Sequence, residues 1–239
     1  MPTVETNGIH IYYEIRGEGE PLLVIGGLSI DLTALEVIIS GLAQRYQVIA
    51  FDNRGAGRTD KPDVPYSIEM MADDTAGLLD ALRIGRAHIM GISMGGRIAI
   101  ALTLKRPEIV KSLILVSTGA KAPNTFGRRL LLGLLEVPRR VGALGKKYPQ
   151  PNYAYANQRR ASQGYDATDR LHEIRVPTLI LQGESDRLAP YRLAEVMHTE
   201  IQGSKMVSFK GGHMFLFWRP GELVDAVEDF LDPGAAGPS

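Results

Sequence analysis

A serine stands between glycines at residues 91–95, GISMG, with the apolar run AHIM before it and GGRIAIAL after it. A lone hydroxyl is a poor nucleophile at neutral pH; it needs an adjacent base, and the base needs a third group to orient it. Five histidines are available to Ser93. His10 falls in a first hairpin, His88 at the start of a strand, and His172 and His198 in helical stretches, where structural or exposed roles are expected. His213 differs, because KGGHMFLFW sets it on a glycine-flanked loop directly after a strand-like run. A carboxylate able to orient it follows another strand, in LILQGESDRLAP, where Gly183 closes the run and Asp186 comes before Pro190. Glu184 competes but sits earlier in the turn, and the run LILVSTGA offers no acid at its end. Ser93, His213 and Asp186 are therefore the candidates for nucleophile, base and orienting acid, and attack on a carbonyl with acyl transfer to water is the chemistry they could perform.

The glycines themselves admit other readings. A phosphate cradle would call for G-x-G-x-x-G or G-x-x-x-x-G-K-[ST], and neither occurs at this position. A buried strand before the serine and a helix after it instead fit a sharp turn that holds Ser93 at positive φ, a strain of about 1–3 kcal/mol for a non-glycine residue. Gly91 and Gly95, with Gly96 beside them, would then remove side chains that collide as strand and helix close. Such a site also needs two donors aimed at the oxygen that gains charge. The Met94 N–H opens a helix, where amides point outward and the dipole favours negative charge. The second donor is expected on the loop after LLVIGG, at the Leu28 N–H.

The elements that must carry these residues can be read from periodicity. IHIYYEIRG alternates, while PLLVIGG, QVIAFD, RAHIMGIS, VKSLILVS, VPTLILQG and SKMVSFKG read as strands. Between them, LTALEVIISGLAQRY, SIEMMADDTAGLLDALRI and MGGRIAIALTLKR have helical spacing; Ser67 is a natural cap for the second and Pro107 stops the third. PGELVDAVEDFL closes the series. Apolar strands alternating with helices predict an α/β fold, a mainly parallel sheet covered on both faces. Between about residues 119 and 175 the alternation fails, and a small helical insertion is expected over the carboxyl edge of the sheet. The expected organisation is a core of residues 1–118 and 176–231, the insertion at 119–175, and a flexible tail at 232–239.

With 27 basic and 27 acidic residues among 239, the formal net charge is zero, and nothing in that balance points to nucleic acid or a membrane as partner. Cysteine is absent, which excludes disulfides, thiolate metal sites and a cysteine nucleophile. The scattered histidines suggest no metal site, and no cofactor is implied. No signal peptide or membrane-length apolar run is visible, so a cytoplasmic protein is the default expectation.

Four motifs in order carry a family likeness: the GISMG turn, DNRGAGRTDKP at 52–62, GESDRLAP and GGHMFLF. Together they resemble the α/β-hydrolase superfamily, whose triad runs in the order Ser, Asp, His. The second motif is similar to the family's D-x-R-G-x-G-x-S-x-x-P loop, with Thr59 in the place of the serine. Relatives often carry His-Gly where this chain has Gly26-Gly27, so the Leu28 assignment follows a variant of the pattern. The resemblance, over about residues 3–231, implies a serine hydrolase of small to medium carboxylic esters acting through an acyl-enzyme on Ser93, with no cofactor and a small-molecule ester or lactone as partner. The same residues would serve an enol-lactone or carbon–carbon bond hydrolase, a cofactor-free haloperoxidase or perhydrolase, or a small-molecule receptor. In the insertion, basic pairs at Arg128-Arg129, Arg139-Arg140, Lys146-Lys147 and Arg159-Arg160 could attract a carboxylate or form a solvated face, the latter preferred. The leucines at 130–132, 134 and 135 would pack it onto the sheet. Trp218, Met214 and Phe215, near the histidine loop, could form pocket wall or core, the latter preferred.

Overall fold

A computed structural model of the chain describes residues 2–123 and 148–232. Among the described residues eight strands are formed: β1 (Thr3–Thr6), β2 (Ile9–Arg16), β3 (Pro21–Ile25), β4 (Gln47–Phe51), β5 (Ala87–Ile92), β6 (Val110–Val116), β7 (Thr178–Gly183) and β8 (Lys205–Phe209). They make one sheet in the order β1-β2-β4-β3-β5-β6-β7-β8. The first two strands are antiparallel, and every pairing from β4 to β8 is parallel. The helices are α1 (Glu36–Leu42), α2 (Ile68–Ala81), α3 (Met94–Lys105), α4 (Asn152–Gly164), α5 (Tyr191–Glu200), the single turn α6 (Phe215–Trp218) and α7 (Pro220–Leu231).

Successive residues of a strand face opposite sides of the sheet, and the central strands are apolar at both. Leu23, Ile25, Ile89, Leu113 and Leu115 join one buried cluster with α2, α3 and α5. Leu22, Val24, Met90, Ile114 and Val116 join a second, with α1 and α7. The local signals act as read. The Ser67 Oγ accepts the Met70 N–H at 3.0 Å and opens α2. Lys105 ends α3, and Pro107 starts a short 3-10 turn.

The histidine loop differs from expectation. Phe215 is buried and stacked on Phe209, ring centroids 4.5 Å apart, but Trp218 is 84% exposed and Met214 49% exposed. Four residues make one helical turn, so only one side of α6 can reach the core, and Phe215 and Leu216 occupy it. Of the region expected as an insertion, the described part contains α4 and a 3-10 turn at Thr168–Glu173. Three of the basic pairs and the five leucines lie outside the described residues. In the fourth pair Arg160 is exposed and donates to Asn157 on its own helix. Asp232, the first residue of the expected tail, accepts the Tyr46 hydroxyl at 2.6 Å; residues 233–239 lie outside the described range.

Candidate active site

Parallel strands deliver all their following loops to one edge, which is where the three candidate residues lie. Ser93 follows β5, Asp186 follows β7 and His213 follows β8. Ser93 has φ 55° and ψ −114°, the strained turn that the sequence predicts. The glycines permit it. A Cβ on Gly91 would lie 2.4 Å from the Gly95 carbonyl oxygen, and one on Gly95 would lie 2.2 Å from that of Ile25. The first contact is between strand and helix, as expected; the second presses α3 onto the end of β3. A Cβ on Gly96 would meet Thr118 at 2.5 Å.

Backbone bonds fix the three loops to each other. The Ser93 N–H donates to Val116 O at 2.9 Å, and the Thr118 hydroxyl donates to Ser93 O at 2.6 Å. The Glu184 N–H donates to Phe209 O at 3.0 Å, and that of Ser185 to Gly211 O at 2.9 Å, tying the acid loop to the histidine loop. The Ser117 hydroxyl donates to the His213 carbonyl at 3.3 Å. The run after β6, which lacks a carboxylate, thus holds backbone on both sides through two hydroxyls. Nothing local in LVSTGA signals that use.

The side chains meet within this frame. His213 Nε2 lies 3.0 Å from Ser93 Oγ, and its Nδ1 lies 2.8 Å from Asp186 Oδ2. The Asp186 side chain is 0% exposed and its oxygens are fully engaged. Oδ1 accepts the Leu188 and Ala189 N–H groups, each at 2.8 Å, and Oδ2 also accepts Gln182 Nε2 at 3.1 Å. Glu184 points to solvent. The other histidines are elsewhere: His10 with Asp60, His88 between Ser112 and Glu20, His198 with Ser204, and His172 exposed.

Leu28 lies on the loop after β3, and Met94 is the first residue of α3. Gly27 brings that loop against the serine: its Cβ would stand 3.4 Å from Ser93 Cβ. Among the described residues neither the Leu28 nor the Met94 N–H meets an acceptor. Below this loop, Asp52 accepts the N–H groups of Leu32 and Arg58, both at 2.8 Å, and burial pushes its carboxyl up despite them. Thr59 is fully buried, donating to Asp52 O at 2.6 Å and accepting the Tyr12 N–H at 2.9 Å, so its hydroxyl ties the loop after β4 to β2. Among the described residues no cluster of His, Cys, Asp and Glu is arranged to hold a metal, and no helix is long and apolar enough to cross a membrane.

A sequence profile described as the alpha/beta hydrolase fold matches residues 20–141. The chain belongs to the α/β-hydrolase family. A second profile, described as TAP-like protein, matches residues 153–237 of this hydrolase. The chain is 31% identical to a putative carbamate hydrolase, RutD, of Azorhizobium caulinodans, over 90% of its own length and 92% of the relative's. It is 28% identical to a poly(3-hydroxyalkanoate) depolymerase of Ectopseudomonas oleovorans, covering 88% and 84%. In three dimensions it superposes on the enol-lactonase of Burkholderia xenovorans with a TM-score of 0.85, at 24% identity, covering 96% and 99%; that likeness speaks for the fold. The two curated relatives support hydrolytic chemistry.

Proposed function

We propose that this α/β-hydrolase cleaves small to medium carboxylic esters through an acyl-enzyme on Ser93. The observation that carries the proposal is the unbroken line of hydrogen bonds from Ser93 Oγ through the His213 ring to the buried Asp186 carboxylate, at 3.0 and 2.8 Å. His213 Nε2 takes the hydroxyl proton as Oγ attacks the carbonyl carbon. The oxyanion so formed is held by the Leu28 and Met94 N–H groups, and its collapse expels the alcohol, which leaves with the proton from His213. Water, activated by the same imidazole, then releases the acid and restores Ser93. Asp186 keeps the proton of neutral His213 on Nδ1 and stabilises the imidazolium. The helix α4, in the segment between β6 and β7, serves as part of a cap over the site, and a lactone enters the same cycle as an internal ester.

The test is turnover of p-nitrophenyl acetate and butyrate by wild type and Ser93→Ala, together with fluorophosphonate labelling. Loss of turnover in the variant and a label on Ser93 are the expected results. A wild type that turns over esters no faster than the variant would sink the proposal. The 31% identity to a putative carbamate hydrolase favours a second reading, carbamates as substrate. A matched ester and carbamate separate the two: higher kcat/KM on the carbamate moves the substrate class there.

A further inference from the structure

We propose that Gln158, on α4, is a positioning residue for the oxyanion hole, fixing the loop that carries the Leu28 N–H. The inference rests on the catalytic reading given above. It begins with a polar side chain in an unusual setting. Gln158 is 0% exposed, and a buried amide is costly unless its hydrogen bonds are met. Its Oε1 accepts the Ser29 N–H at 3.1 Å and Gln150 Nε2 at 2.9 Å, and its own Nε2 donates to Arg54 O at 2.7 Å. Two donors converge on the oxygen and a carbonyl faces the nitrogen. Turning the amide over would set its NH2 group against both donors, so a single orientation is enforced.

What this amide holds is the strained part of the loop. Ser29 has φ 63°, a left-handed conformation that persists only when its surroundings over-determine it. The loop is fastened on either side of Leu28. Asn53 Nδ2 donates to Gly26 O at 2.8 Å before it, and Gln158 accepts from Ser29 after it. The Ile30 N–H closes the turn onto Gly27 O at 3.2 Å. The tilt of the Leu28 N–H follows from these fastenings, because its peptide plane lies between them. Without the Gln158 oxygen, Ser29 can relax toward ordinary backbone, and the donor swings away from the oxygen it should meet. A neutral amide suits the position: a carboxylate there would oppose the negative charge growing beside it.

The chain distance gives the arrangement its meaning. Ser29 and Gln158 are 129 residues apart, and α4 belongs to the segment inserted between β6 and β7. The same helix grips the loop after β4 through Asn157 to Val64 O and Tyr153 to Lys61 O, both at 2.8 Å. Hydrolytic competence of the sheet edge is thereby made to depend on how the insertion is seated.

The experiment compares wild type with Gln158→Met, which keeps length and loses both hydrogen-bonding functions. On p-nitrophenyl butyrate, kcat is expected to fall about 10- to 100-fold, the scale of a donor misplaced by an ångström or less. KM is expected to stay within about twofold, the mark of an interaction made mainly in the transition state. The inhibition constant of an alkyl trifluoromethyl ketone, whose hemiketal oxygen occupies the hole, should rise by the factor by which kcat/KM falls. A folded Gln158→Met with wild-type kcat overturns the proposal, as does a lower kcat with unchanged inhibitor affinity. If that variant fails to fold, Gln150→Leu removes one of the two donors that orient Gln158. A drop of about threefold in kcat is then expected from partial misplacement, and wild-type kcat overturns the proposal. A wild type no faster than Ser93→Ala removes the catalytic reading itself, a result separable from failure of Gln158 alone.

Discussion

Replacing Asp186 by asparagine changes one atom and no volume, and its effect on turnover can be worked out from hydrogen bonds alone. The carboxylate accepts four of them: two amides on Oδ1, and His213 Nδ1 with Gln182 Nε2 on Oδ2. Asparagine has one oxygen. With it toward Leu188 and Ala189, the NH2 group meets Gln182 Nε2, one donor-to-donor conflict, and His213, which can answer only by moving its proton to Nε2. With it toward His213, the NH2 group meets the Leu188 and Ala189 amides, two conflicts. The excess conflict costs about 1–3 kcal/mol, so the first arrangement is favoured by a factor of about 5 to 150. In that arrangement the imidazole presents a proton to Ser93 where it should present a lone pair. The surviving competent fraction also lacks the negative charge that stabilises the imidazolium. Together these losses should lower kcat toward 10⁴-fold, as for the same change in serine proteases. The assay is p-nitrophenol release, with circular dichroism to confirm the fold. A kcat within threefold of wild type would refute the reasoning, whereas Glu184→Gln, in solvent, should change nothing measurable.

Other predictions follow from contacts already described. Gly95→Ala drives a Cβ to within 2.2 Å of the Ile25 carbonyl oxygen, backbone against backbone; stability in urea should fall by about 2 kcal/mol or more, with loss of turnover. The buried Arg54–Asp74 pair, bonded twice at 2.7 Å, should be destabilised by about 3–5 kcal/mol in Asp74→Asn, while the double variant Arg54→Met/Asp74→Leu recovers much of that; equal losses in both would argue against an uncompensated charge as the cause. Ser67→Ala removes the cap of α2 and should cost about 1 kcal/mol in chemical denaturation, without altering kcat.

Much of the site was legible because its signals are local. A serine between glycines, with strand before and helix after, demands a tight turn whatever the rest of the chain does. Asp186 and His213 stand out as candidates because parallel strands send every following loop to one edge. Gln158 was not found, and could not have been by periodicity. In NYAYANQRRASQG the glutamine looks like one more polar residue on a polar helix, and its reason to be buried lies on backbone 104 and 129 residues away. Ser117 and Thr118 escaped notice for a related reason, since they act on carbonyls of other loops. Trp218 shows the reverse error. Its side chain is the most apolar kind of signal, but a single turn has no period from which to read a face.

β8 is the last strand of the sheet, paired on one side only and solvent-facing along most of its length. His213 arrives on the loop just beyond it. Detaching this one strand from β7, together with the Ser185 and Ser117 bonds to the loop beyond it, would withdraw His213 while leaving Ser93 seated between its inner neighbours. Partial opening at a sheet border requires less free energy than global unfolding. The fold thus carries a fuse at its margin: under heat or denaturant, turnover is expected to fade while most of the fold still stands.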